Sequence, residues 1–88
     1  MKVYLVSKEK CVVGIFSNRT WMMAKISHLV SNLHIKGERK DIAVTANSIG
    51  THMPKGYLPL YDNDTDEIVM RIWKLEVNSI NPQLKDYA

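Results

Sequence analysis

Two short apolar runs open the chain. Val3-Tyr4-Leu5-Val6 is rich in β-branched and aromatic residues, and Cys11-Val12-Val13-Gly14-Ile15-Phe16 is a second run of the same kind. Both read as strands, and the polar Ser7-Lys8-Glu9-Lys10 between them has the length of a hairpin connection. Gly14 inside the second run marks a bulge or a close backbone approach. After Phe16 the spacing changes. Met22, Ile26, Leu29, Val30 and Leu33 recur at intervals of three and four, which predicts one amphipathic helix. Met23 and Ala24 widen its apolar stripe, while Lys25, His28, Ser31 and Asn32 fall on the side facing water. Ser17, or Thr20 one turn later, would cap its start by accepting a hydrogen bond from an open backbone N–H. The helix is expected to end near His34–Lys36, with Gly37 supplying a positive φ at low cost.

The pattern returns to strands beyond that point. Ile42 to Ala46 suggests a third strand, and the stretch 47–59, punctuated by Gly50, Pro54, Gly56 and Pro59, reads as irregular. Tyr57-Leu58 and Leu60-Tyr61 flank Pro59, which limits any strand there to a sheet edge. Asp62-Asn63-Asp64-Thr65-Asp66 is an acidic turn, and Glu67 to Val77 is the clearest strand. In that strand Ile68, Met70 and Ile72 share a face, after which the apolar phase moves to Trp73, Leu75 and Val77. Such a shift calls for a bulge or for cover on both faces. The polar end from Asn78, with Pro82, is expected to fray. The order β-β-α-β-β predicts an α+β fold: a mainly antiparallel sheet of about four strands with one amphipathic helix packed on one face. Residues 1–80 would form the single domain and 81–88 a polar C-terminal tail.

Composition narrows the function classes. At 88 residues, 45% hydrophobic and 24% charged, the chain has the profile of one folded domain and not of a disordered segment. No run of 18 apolar residues occurs, and the N-terminal apolar run of four is too short for a signal peptide. A membrane partner is therefore not expected, and a cytoplasmic location is. The single cysteine, Cys11, fits that compartment, and its neighbours Val12 and Val13 mark it as a small buried hydrophobe. A net charge of +3 permits nucleic-acid contact without demanding it.

The candidate chemistry is sparse. Asp62, Asp64 and Asp66 alternate as in a calcium-binding EF-hand loop, but the sixth position is Glu67 where Gly is needed and the twelfth is Trp73 where Glu is needed. A solvated turn explains them. His28 and His34 lie about 600° apart around a helix, and neither has a ligand partner three or four residues away. No phosphate-cradling glycine loop or nucleophile motif is present. The expectation is a protein that is not an enzyme and carries no cofactor or metal.

The aromatic residues are more informative. Trp21 stands one position outside the helix stripe, Trp73 sits where the last strand changes phase, and Tyr57 and Tyr61 fall in the Pro/Gly-rich stretch. Large aromatics left at a surface with Arg nearby are the usual anchors of protein interfaces. Trp21, Tyr57, Tyr61, Arg71 and Trp73 are accordingly the partner-binding candidates, and a protein is the expected partner. A nucleic-acid alternative would use Lys36, Arg39, Lys40 and Lys55 on phosphates with Tyr57 or Trp21 as a stacking surface, but Glu38 and Asp41 interrupt the basic cluster. A third reading is an oligomeric small-ligand protein or enzyme with a pocket between chains. Unpaired edge strands are also compatible with a homodimer.

Lys2-Val3-Tyr4-Leu5-Val6, Val12 to Thr20, Ala24 and Ile26 together resemble a pattern found in many small, uncharacterised bacteriophage proteins, with a strand hairpin, a "VVGVFS"-like second strand and a capped helix. The likeness covers roughly the first 35 residues. It implies a phage or mobile-element accessory protein that inhibits a host or defence protein by occupying its surface. That group shares no site motif, so no functional residue is implied by the likeness.

Overall fold

In the computed structural model the described residues are 1–29, 32–36, 41–53 and 56–81. Strands β1 (Lys2–Lys8) and β2 (Cys11–Phe16) form the expected hairpin, followed by helix α1 (Arg19–Leu29). Then come β3 (Leu33–Ile35), β4 (Ile42–Ala43), helix α2 (Ala46–Thr51), β5 (Tyr57–Asp62) and β6 (Ile68–Glu76). All pairings are antiparallel, in the order β2-β1-β6-β5-β3-β4. The α+β class and the antiparallel sheet are as expected. Among the described residues the sheet has six strands, however, and two helices accompany it.

Each departure has a local cause. The first helix stops at Leu29, short of His34–Lys36, and Asn32 adopts a left-handed φ of 65°. Leu33, His34 and Ile35 then pair with β4 and β5 as a strand. The helix cap is neither Ser17 nor Thr20 but Asn18, whose Oδ1 accepts from Trp21 N at 2.9 Å. The third predicted strand is cut to Ile42–Ala43 because Thr45 caps α2. Its Oγ1 accepts from Ser48 N at 3.0 Å, and Ser48 Oγ accepts from Thr45 N at 2.8 Å, a reciprocal capping box.

Pro59 lies in an interior strand, where an edge was expected. β5 pairs with β6 along its length but with β3 only at Tyr61 and Asp62, so the half that holds Pro59 has one paired side. In β6 the register slips between Met70 and Ile68, which pair with Leu60 and Tyr61 and leave Val69 as the extra residue of a bulge. This bulge precedes the change of apolar phase at Ile72 and Trp73, and on the second face Trp73 is buried while Val69, Arg71 and Leu75 are half-buried.

Cross-strand pairing fixes the faces. Val6, Ile72 and Leu58 lie side by side, as do Leu5, Trp73 and Tyr57 on the opposite face. The first set, with Leu60 and Met70, forms the core against Met22 and Ile26 of α1 and Ile49 of α2. The helices are joined by Arg19, whose Nη1 donates to Ala46 O at 3.1 Å while its guanidinium passes over Gly50. A Cβ at Gly50 would stand 1.4 Å from that Nη1, so the glycine makes the crossing possible. Asn81 extends the last strand by a side-chain mimic: its Oδ1 accepts from Glu76 N at 2.8 Å and its Nδ2 donates to Glu76 O at 3.1 Å. The tail from 82 onward lies outside the described residues.

Candidate functional site

Helix α1 presents two sides. Met22 and Ile26 are sealed in the core, whereas Trp21, Lys25 and Leu29 recur every four residues along a stripe displaced from it. Trp21 is 65% exposed and Leu29 56% exposed. Leu29 was expected on the buried stripe; as the last residue of a helix shorter than predicted it faces outward instead.

Facing this stripe is β2, a sheet edge with no neighbour on its outer side among the described residues. A groove of about 450 Å³ runs between them, lined by Val13, Gly14, Ile15 and Phe16 from the strand and by Lys25, His28 and Leu29 from the helix. Its floor is closed by Val6 and Ile26. Gly14 matters for its shape. The Phe16 ring folds back over Gly14, and a Cβ there would stand 2.6 Å from the ring. Val13 is the extra residue where the β1–β2 register shifts, and Ile15 is 62% exposed. Cys11, at the start of this strand, is exposed and not buried as its apolar neighbours suggested; an edge strand offers no second layer to cover it.

The electrostatics of the groove are one-sided. From Cys11 to Leu29 the chain carries Arg19, Lys25 and His28 and no Asp or Glu. Arg19 is engaged with α2, and Lys25 is exposed with no ion pair among the described residues.

The five residues singled out by sequence do not form one surface. Trp21 belongs to the helical layer beside the groove. Tyr57, Tyr61, Arg71 and Trp73 lie on the opposite face of the sheet by strand alternation. Trp73 is 0% exposed, with the half-buried Tyr57 ring tilted against it at 5.3 Å, so in this conformation it offers no contact area. Arg71 is half-buried opposite Pro59. Of the exposed large apolar residues, Val13, Trp21 and Leu29 border the groove, Val12 and Ile15 alternate to the face of Leu5 and Trp73, and Met1, Ile68, Val77 and Ile80 lie elsewhere.

Tyr61 belongs to a polar cluster at the far end of the sheet. It stacks on the buried His34 at 6.0 Å, and Lys36 Nζ lies 5.5 Å above its ring. His34 Nδ1 bonds Asn63 Oδ1, and Asn63 Nδ2 donates to Asn32 Oδ1 at 2.9 Å. The other ring nitrogen, Nε2, stands 3.2 Å from Asp41 and 3.6 Å from Asp66 without an aligned hydrogen bond. Lys36 pairs with Asp66; the bond holds the carboxyl below its ordinary 3.8 and the ammonium above its ordinary 10.5. In the acidic turn Asp62 Oδ1 accepts from Asp64 N at 2.7 Å and Thr65 N at 3.1 Å, a local turn lock. Among the described residues no three His, Cys, Asp or Glu side chains are grouped to hold a metal.

Of the basic residues in the nucleic-acid reading, Lys36 is committed to Asp66, while Arg39, Lys40 and Lys55 lie outside the described residues. Among the described residues no helix is long and apolar enough to cross a membrane. Comparisons with protein-family models, with curated proteins and with solved structures each return no match.

Proposed function

We propose that this chain is a non-enzymatic binding module that acts by covering part of another protein's surface, and that its contact face is the groove between α1 and β2 with Trp21 at its rim. The observation that carries this reading is the group of exposed apolar residues on the helical side of the sheet edge: Val13 and Leu29 line the groove, and Trp21 stands on the same helix stripe, one turn from Lys25. Exposed apolar groups gathered beside a concavity and rimmed by polar side chains are the mark of an interaction site. In the setting implied by the bacteriophage resemblance, the covered protein is a host or defence factor and the effect is inhibition.

The test uses exposed positions. Trp21→Ala and Leu29→Ser are expected to leave stability within about 0.5 kcal/mol of the parent chain, as surface changes usually do. Both are also expected to abolish retention of the proteins that the parent chain captures from cell extract. An unchanged captured set with both variants would reject this face as the binding surface.

A further inference from the structure

Building on that reading, we infer that the groove takes an extended, acidic-apolar segment of the partner, which adds to β2 as a seventh strand of the sheet. Three features of the site specify that chemistry. The first is the edge itself. β2 runs for six residues and among the described residues pairs only with β1, so its outer N–H and C=O groups form a template for another extended backbone. No Lys, Glu or Pro lies within the strand, and the bulge at Val13 confines the regular edge to residues 14–16.

The second feature is the groove beside that edge. A strand added outside β2 would sit about 4.8 Å away, with alternate side chains pointing to the helical side of the sheet. There they meet Val13, Phe16 and Leu29. Apolar side chains at every second position fit this space. A helix laid in the same place would leave the free strand edge unpaired.

The third feature is charge. Lys25 and His28 line the groove, and no acidic residue occurs between Cys11 and Leu29 to pair with the Lys25 ammonium. A carboxylate on the helical side of the incoming strand would complete the pair, and complementary potentials of this kind set partner choice and orientation. A second copy of this chain is a poorer occupant. Its own β2 and α1 bring Arg19, Lys25 and His28 and no carboxylate to the contact.

The experiment is a selection of random displayed dodecapeptides on the purified chain, followed by titration of the enriched peptide. Enrichment of alternating β-branched or aromatic residues with Asp or Glu is the expected result. Lys25→Glu should weaken the selected peptide by about tenfold or more. N-methylation of its edge-facing amides should weaken it by at least roughly tenfold, as two ordinary hydrogen bonds are lost. Enrichment of helical three- and four-residue spacing, of Lys/Arg-rich peptides or of nothing would overturn the inference. So would indifference to N-methylation, or sedimentation showing a dimer that Ile15→Asp dissolves. The wider reading fails separately: if Trp21→Ala and Leu29→Ser abolish capture of protein while no strand-like peptide is selected, the face binds protein by another geometry.

Discussion

Seating of α1 on α2 sets one wall of the groove, and a single glycine controls it. Gly50→Ala would place a methyl group where the Arg19 guanidinium now passes, 1.4 Å from Nη1. The backbone at Gly50 is not left-handed, so the alanine itself is unstrained and gains up to about 1 kcal/mol of helix propensity. Against this, the displaced Arg19 loses its bond to Ala46 O, and a hydrogen bond from a charged donor is worth about 1.5–3 kcal/mol. The net expectation is a loss of about 1 kcal/mol, or a fall in Tm of about 4–8 °C for a domain of this size. In an Arg19→Met background there is nothing left to displace, and Gly50→Ala should stabilise by a few tenths to about 1 kcal/mol. Urea unfolding of the four proteins, followed through the buried Trp73, gives the coupling energy directly. The prediction is therefore an inversion of sign between backgrounds. An effect of equal sign and size in both would show that Arg19 does not hold the helices together.

Three further outcomes follow from other parts of the fold. Glu9 and Lys10 fill the two-residue β1–β2 turn with φ of 54° and 66°, which a type I′ turn demands but which favours Asn and Gly. Relief of about 1–2 kcal/mol per residue, less about 0.5–1 for the added chain entropy of glycine, predicts that Glu9→Asn/Lys10→Gly stabilises by at least about 1 kcal/mol; an unchanged urea midpoint would refute it. Trp73→Ala should cost about 3–5 kcal/mol, a large share of the roughly 4–13 kcal/mol expected for 88 residues, whereas an exposed tryptophan would lose almost nothing in urea denaturation followed by far-ultraviolet circular dichroism. Because Lys36 depresses the Asp66 carboxyl, that pair stabilises the fold above the ordinary carboxyl value of 3.8 and the contribution fades as pH falls through the lower folded value. The Lys36 contribution holds below 10.5 and fades as pH rises through its raised folded value. Urea midpoints of the parent and Asp66→Asn should therefore differ at neutral pH and converge in acid; a difference independent of pH would exclude the ion pair as its source.

How much of this was legible in the sequence depended on the length over which each signal could repeat. β1, β2 and β6 run for seven, six and nine residues, long enough for composition and alternation to declare a strand. β3 and β4, of three and two residues, carry no readable period. Leu33 even continues the helical spacing of Ile26 and Leu29, and only the left-handed turn at Asn32 ends that phase. Displacement by one position from the stripe left Trp21 open between a surface place and a lid over the helix start, and the fold exposes it. The same reasoning could not place Trp73, because a strand's two faces look alike until the layers over them are known. The groove was hidden for a different reason. Whether β2 is an edge depends on β1 choosing β6, more than 60 residues away, as its other neighbour. No local pattern encodes that choice. One trace was nonetheless present: Cys11 to Phe16 is apolar at every position, with no polar face. A strand of that kind has apolar side chains on both faces, and this is the trace that the proposed partner strand would cover.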